Sequence, residues 1–353
     1  MQKKLIALAV LSVVSAPVFA QSQVQVGGII DVGVETTKQS DNSDITRMLS
    51  SGMMTNRLFF KGSEDLGNGL KANFHLETQP GPDTGTAPGN NFWGRTSTVG
   101  LSSNSWGSVN LGSQYTPWFS ARAANDIFYT AGAGSNYSLE TGDTRMSNSI
   151  RYDSPNFNGF TFAAMYGMGE ASAANKASYN SQEGTVSSGA GQNDKVGRSA
   201  GLNIQYKNGP LALRYGYDNQ YANQIDKTKR NNFNGSYDFK VVKLVAGWNG
   251  VKTDNNGADY RSWYVGGVMP VFGKDAVKLE YTDLHNKLVD KADAKLIALG
   301  YEHNMSKRTS LYATYAKLTN EENANWYLLT GDKGVTPAGF DPSSFQVGIK
   351  HSF

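Results

Sequence analysis

The 353-residue sequence contains no cysteine. Neither a disulfide framework nor a thiolate-bound metal can therefore stabilise it. Long apolar runs are also missing, since none beyond the N-terminus approaches the roughly 18 residues that a membrane-spanning helix needs. The formal charge of only +3 favours neither nucleic acid nor an acidic membrane as a partner. What the chain does have is 39 glycines and 11% aromatic residues, a composition that suits strands and turns.

The N-terminus has the pattern of a secretory signal peptide. Lys3 and Lys4 precede an apolar stretch, Leu5 to Val14, and Val18 to Ala20 form a small-residue cleavage site. We therefore predict that residues 1–20 are cleaved and that the chain is exported. Residues 21–353 remain as one domain with a formal charge of +1, because the removed segment carries two lysines.

Apolar and polar residues alternate along almost the whole remaining chain, in segments of about ten residues. In one such segment Leu70, Ala72 and Phe74 alternate with Lys71 and Asn73. Segments of this length separated by turn residues are typical of a membrane β-barrel, whose strands face lipid and lumen alternately. A soluble β-sandwich shares the composition but would point its apolar face to a core. We predict an all-β fold, a transmembrane antiparallel β-barrel.

Sixteen strands are predicted, an even number as bacterial single-chain barrels require. The first runs from Val24 to Glu35, and the others are Arg57–Ser63, Leu70–Glu77, Trp93–Leu101, Ser108–Gln114, Ser147–Asp153, Phe160–Gly169, Gly197–Lys207, Leu211–Gln220, Asn231–Phe239, Val241–Lys252, Tyr260–Val271, Ala276–Asn286, Lys295–Asn304, Thr309–Leu318 and Ser344–Phe353.

Short and long connections also alternate between these strands. Short turns such as Asp65 to Gly69 alternate with long polar segments, among them Tyr115 to Met146 and Thr319 to Pro342. Short periplasmic turns and long external loops give a membrane barrel this asymmetry. The Gly/Ser/Ala-rich stretch Glu170 to Val196 could instead be an interdomain linker, but the strand pattern resumes directly after it.

Four blocks of sequence resemble the Gram-negative porin family, in particular the porins of β-proteobacteria. They are Arg57–Ala72, Asn148–Pro155, Gly300–Thr309 and Val347–Phe353, in the family's order. The resemblance implies a homotrimer of sixteen-stranded barrels in the outer membrane. Each would form a water-filled channel for passive diffusion of small hydrophilic solutes and inorganic ions. It also implies that the third external loop, Tyr115 to Met146, folds into the pore.

The same resemblance suggests which residues line the pore constriction. Arg57, Arg95 and Arg151 match the family's basic cluster on the barrel wall, and Lys61 shares their strand face. The acids facing them would come from the third loop, with Asp126, Glu140 and Asp143 as candidates. Opposed fixed charges across a narrow gap would orient dipolar solutes, and arginine stays charged at physiological pH. We therefore expect mild anion preference. Alternatively, these are solvated charges spread along the channel.

The C-terminal Phe353 ends an alternating strand. We interpret it as an assembly signal, recognised by the barrel-assembly machinery through strand addition. It could also serve simply as an anchor at the membrane interface among outer-membrane lipids.

Rival functions have little support in the sequence. Gly197 to Gly201 matches the G-x-S-x-G motif of hydrolases, but strand periodicity follows it where that motif needs a helix. The four histidines lack metal-ligand spacing, so we expect no metal, no cofactor and no enzymatic activity. A substrate-specific outer-membrane channel or a barrel adhesin remains the alternative, because long external loops fit these as well.

Overall fold

The computed structural model describes residues 23–40, 43–87, 91–140, 142–169, 195–223, 225–330 and 336–353. The predicted signal peptide lies outside the described residues, as does most of the Gly/Ser/Ala-rich stretch 170–196. Within the described ranges no helix is long and apolar enough to cross a membrane.

Strands account for most of the described chain. They are β1 Gln23–Ser40, β2 Ser43–Ser50, β3 Arg57–Gly67, β4 Leu70–Thr78, β5 Thr96–Ser103, β6 Gly107–Tyr115, β7 Arg145–Asp153, β8 Phe160–Gly167, β9 Ser199–Asn208, β10 Leu211–Tyr221, β11 Lys227–Asp238, β12 Lys243–Thr253, β13 Ala258–Val271, β14 Asp275–Asn286, β15 Ala294–Asn304, β16 Thr309–Asn320 and β17 Ser343–Ser352. Within the described ranges, one α-helix, α1 Pro117–Ala123, and two 3-10 turns, Asn136–Leu139 and Asp254–Asn256, lie in connections.

The sheet closes on itself as an antiparallel barrel. From β3 onward each strand pairs with its chain neighbours, and β17 pairs with β1 in a register that places Val34 opposite Val347. The backbone of Phe353 extends this seam, exchanging two 3.1 Å hydrogen bonds with Gly28. Closure leaves no unpaired edge among the described strands, which a membrane barrel requires because lipid offers no hydrogen-bond partners.

The second position in the wall is shared by two strand segments. β2 pairs with the later half of β1 and β3 with its beginning, so seventeen segments form sixteen wall positions. The predicted sixteen-stranded barrel is thus confirmed, although Ser43–Ser50 was missed as a strand. The break at residues 51–56 folds onto Asp31, whose carboxylate accepts hydrogen bonds from the backbone nitrogens of Met53 at 2.9 Å and Met54 at 2.6 Å.

The two faces of the wall differ as they do in a membrane barrel. One face exposes large apolar side chains, for example Phe162, Trp248 and Leu299, while the other buries polar ones such as Asn232 and Gln346. This pattern is inverted relative to a soluble domain. We refer to the two faces as the apolar outer face and the polar inner face.

Helix α1 and the segment after it lie against the polar inner face. Thr116 caps the helix by accepting a hydrogen bond from the Phe119 backbone. Asn232 donates to the Trp118 carbonyl at 3.1 Å. Gly216 leaves space for the helix, since a Cβ there would lie 3.0 Å from Ala121. Strand side chains therefore hold the helix through its own backbone.

The remainder of this segment contacts the wall break and β17. The Ala133 backbone nitrogen donates to the Gln346 side chain of β17 at 3.2 Å. Gly132, with φ of +64°, lies so close to the wall break that a Cβ would be 1.8 Å from the Gly52 carbonyl oxygen. Only glycine suits that combination of left-handed backbone and close approach.

Candidate functional site

Three guanidinium groups line one cavity inside the barrel. Arg57, Arg95 and Arg145 border a space of about 320 Å³. Its lining also includes residues 49–51 and Thr55 at the wall break, residues 130–132 of the segment after α1, and residues 327–330 of the last long loop. Among the described residues that border this space, none is an aspartate, a glutamate or a lysine.

Arg95 is held rigidly by its hydrogen bonds. Its Nε donates to Glu77 at 2.6 Å, one terminal nitrogen to Gln79 at 2.8 Å, and the other to the Tyr115 hydroxyl at 2.7 Å. Glu77 supplies the charge partner, and both side chains are largely buried. The guanidinium therefore has a fixed orientation, and its charge is paired with that of Glu77.

Arg145 meets Arg95 at the same tyrosine. One terminal nitrogen donates to the Tyr115 hydroxyl at 2.5 Å, and Nε donates to the Arg95 carbonyl at 2.6 Å. Its guanidinium carbon lies 4.1 Å from the centre of the Tyr115 ring, a cation–π contact. We did not predict Arg145 from the sequence, because we placed the start of that strand at Ser147. Its register partner is Tyr115 itself, so correct strand boundaries would have revealed the pair.

Arg57 is the least constrained of the three. It begins β3, and its one described hydrogen bond is a 3.3 Å contact from Nε to the Thr55 carbonyl. Within the described residues, no carboxylate forms an ion pair with Arg57 or Arg145. Glu77 is therefore the single acid paired within a group of three cations.

Aromatic rings support the cluster from the side of α1. Tyr115 stacks on Phe119 with ring centres 5.2 Å apart, and Phe119 meets Tyr137 edge-on at 5.7 Å. Such contacts add to the free energy gained from burial. They couple the position of Tyr115, and so of both arginines bound to it, to the folding of the segment after α1.

Two predicted site residues lie outside this cavity. Arg151 is ion-paired with Asp153 at 2.6 Å and donates to the Tyr115 carbonyl at 2.7 Å, so it anchors the start of the long connection. Lys61 is exposed, with its ammonium 5.0 Å from the Phe59 ring. Arg57 and Arg95 border the same cavity, together with Arg145, whereas Arg151 does not border it.

The predicted acids do not lie at the arginine cavity. Asp126 and Glu140 are buried on either side of Arg122, which contacts Asp126 at 3.5 Å and hydrogen-bonds to Glu140. Burial acts to lower the pKa of Arg122, but the charges of Glu140 and Asp126 outweigh it and raise that pKa above its usual value. The expected position of these two acids opposite the arginines is corrected accordingly: they neutralise a buried cation.

Asp143, the third predicted acid, is also placed elsewhere, since it accepts a hydrogen bond from Gln220 of β10. One signal could have identified the buried group, because Arg122 and Asp126 are four residues apart, a spacing that favours ion pairs. No cluster of three or more possible metal ligands occurs in the described ranges.

Comparison with known proteins identifies the family. The family model described as Gram-negative porin matches residues 7–323. Outer membrane porin protein 32 of Delftia acidovorans is 36% identical over the full length of both chains, and an outer membrane porin of Bordetella pertussis is 29% identical, also over both full lengths. Among solved structures, the anion-selective porin from Comamonas acidovorans aligns with a TM-score of 0.80 and 33% identity, covering 94% of this chain and 100% of that one. The chain therefore belongs to the Gram-negative porins, a family of channels, and forms an outer-membrane barrel for passive diffusion.

Proposed function

We propose that this porin is a general-diffusion channel with mild anion preference and that the arginine cavity is its constriction. The observation that carries this proposal is the lining charge. Arg57, Arg95 and Arg145 border the cavity, while the described part of the lining contains no acid. A hydrated opening whose walls carry charges of one sign raises the local concentration of oppositely charged solutes.

The hydrogen bonds of the cluster suit transient contact with anions. Guanidinium groups present fixed donors that match carboxylate and phosphate oxygens. Tyr115 accepts from both Arg95 and Arg145, so these two groups keep their orientation without a solute. An anion can then exchange bulk water for protein donors with little rearrangement, whereas a cation meets three positive groups.

The third external loop, Tyr115 to Met146, would narrow the channel at this point. The support is its position on the polar inner face, where Asn203, Asn232 and Asn234 each donate to a backbone carbonyl of α1. In this proposal Asp126 and Glu140 act indirectly, by fixing Arg122 and with it the loop. Lys61, Arg151 and Asp143 would contribute lumen charge outside the narrowest region.

Assembly and export complete the proposal. Residues 1–20 would direct export through the periplasm, and Phe353 would present the last strand to the barrel-assembly machinery. Three copies would associate in the outer-membrane lipid. One solved structure of OmpT from Vibrio cholerae is described as its trimer form, which is in keeping with a homotrimer here.

The test is reconstitution into a planar bilayer under a salt gradient. We expect stepwise conductance increments in groups of three and a reversal potential that indicates anion preference. Titration with sugars, organic acids and phosphate would then separate a general pore from a substrate-specific channel. A cation-preferring reversal potential would refute the role given to the arginines while leaving the fold intact.

A further inference from the structure

The lining of the arginine cavity is apolar as well as cationic. Besides the three guanidinium groups it includes Phe119, Tyr137, Leu328 and Leu329. Pockets that bind small molecules are lined mainly by apolar and aromatic side chains with a few fixed polar groups, and they enclose roughly 300–1,000 Å³. The cavity, at about 320 Å³, lies at the small end of that range. Apolar surface in a water-filled channel gains free energy only when a solute covers it.

Two loops build this apolar part of the lining and are hydrogen-bonded to each other. Leu329, in the last long loop, packs against the aromatic cluster around Phe119. Its backbone nitrogen donates to the Ser138 hydroxyl at 3.2 Å. The next residue, Thr330, accepts a hydrogen bond from the Gln39 side chain of β1 at 2.9 Å. The apolar surface is therefore formed before a solute arrives, so that binding does not have to order it.

The Tyr115 hydroxyl supplies a hydrogen-bond donor beside the arginines. Its oxygen accepts from Arg95 at 2.7 Å and from Arg145 at 2.5 Å. These bonds use the oxygen as an acceptor and leave its O–H hydrogen over. In the part of the chain that the structure describes, no group accepts that hydrogen. Two bonds from cations also polarise the hydroxyl and strengthen it as a donor. A carboxylate oxygen in the cavity is the acceptor that this hydroxyl lacks.

Arg57 offers further donors at the same cavity. Among the described residues, its terminal nitrogens have no hydrogen-bond partner, since the one bond that it makes uses Nε. A guanidinium can hold a carboxylate through two parallel N–H bonds. Chloride carries the same charge but has no pair of oxygens to match that fork. The polar side of the cavity therefore suits carboxylates better than spherical anions.

We infer that the arginine cavity binds carboxylates that carry a compact apolar ring, of which benzoate is the simplest. The carboxylate accepts hydrogen bonds from Arg57 and from the Tyr115 hydroxyl, and the ring covers Leu329 beside the aromatic cluster. This inference rests on the proposed function, because it takes the cavity to be the constriction of the channel. It adds that such solutes occupy the constriction more strongly than equally charged solutes without an apolar part.

The experiment measures how strongly added solutes block the chloride conductance of the reconstituted porin in a planar bilayer. Contact of one ring face with apolar surface raises affinity roughly tenfold. Benzoate should therefore reach half-block at a concentration about tenfold below that of acetate. Benzamide, which has nearly the shape of benzoate but no charge, should not block in the range where benzoate does.

The test variant is Leu329→Asn, which keeps the size of the side chain and every charge of the cavity. It should raise the half-blocking concentration of benzoate about fivefold and leave that of acetate unchanged. Leu329→Met keeps the surface apolar and should block like the wild type. The matched control is Leu288→Asn, the same substitution at an exposed position between β14 and β15, outside the cavity; it should also block like the wild type. Open-channel conductance shows that each variant is folded.

Equal block of the wild type by benzoate and acetate would overturn the inference. So would equal block by benzamide, an unchanged benzoate block in Leu329→Asn, or an equal loss in Leu288→Asn. The reversal potential in a chloride gradient separates this failure from that of the proposed function. A wild-type channel that prefers anions but does not distinguish benzoate from acetate refutes this inference alone, whereas a cation-preferring channel refutes both.

Discussion

Replacing Arg57 by alanine is the cleanest perturbation of the channel charge. The guanidinium makes one long hydrogen bond, to the Thr55 carbonyl, and no described ion pair. Its removal should therefore leave the wall and the neighbouring side chains in place. By contrast, Arg145 and Arg95 both bind Tyr115, so their removal would change structure together with charge. We expect Arg57→Ala to reduce anion preference without altering the fold.

The size of the effect follows from elementary electrostatics. A monovalent anion 4 Å from a guanidinium gains about 1 kcal/mol at the dielectric constant of water, or roughly a fivefold increase in occupancy. A cation is depleted by a similar factor. Salt at about 0.1 M screens charges over about 10 Å. The anion-to-cation permeability ratio should consequently fall toward one, by a factor of up to about five once screening is included, because Arg95 and Arg145 remain.

The assay is the reversal potential across a planar bilayer with a tenfold salt gradient, on the order of 0.1 to 1 M. Arg57→Lys, which keeps the charge, should retain most of the wild-type preference. The shift should shrink as total salt is raised, because screening weakens every fixed charge. An unchanged reversal potential for Arg57→Ala, with normal conductance, would refute the assignment of Arg57 to the constriction.

Three further changes test other parts of the structure. Arg145→Ala should shift the reversal potential more than Arg151→Ala, since Asp153 already neutralises Arg151; equal shifts would contradict this assignment. Arg122→Met leaves two carboxylates buried without their cation, a loss of about 3–5 kcal/mol, so circular-dichroism melts should show a lower Tm, partly restored by adding Glu140→Gln. Deleting Phe353 removes its two hydrogen bonds to Gly28 and should lower the yield of heat-modifiable barrel on gels, whereas Phe353→Tyr should not.

The barrel was predictable because its signal is repeated along the chain. On β15, for example, buried and exposed residues alternate at every step, and the exposed face carries Ile297, Leu299 and Tyr301. The wall break was not predictable. Ser43–Ser50 is short and mixed in polarity, and it is a strand only because β1 is long enough to pair with both β2 and β3. The length of β1 depends in turn on its pairing with β17, which is distant in sequence.

The candidate site was predictable only in part. Arg57 and Arg95 begin or precede regular strands, so their face follows from the alternation. Asp126 and Glu140 lie in an irregular segment, where no periodicity gives the direction of a side chain. Their burial depends on Arg122, and on Asn249 of β12, which donates to Glu140. Such contacts between a loop and strands distant in sequence cannot be deduced from local pattern.

The contacts of Gly132 and Ala133 have a consequence for engineering. These neighbouring residues touch the wall break beside β1 and the side chain of Gln346 on β17. The loop that borders the arginine cavity therefore also links the wall break at residues 51–56 to β17. Shortening this loop to obtain a wider channel would remove that link as well. In the proposed channel, a wider opening would therefore also loosen the contacts between the wall break and β17.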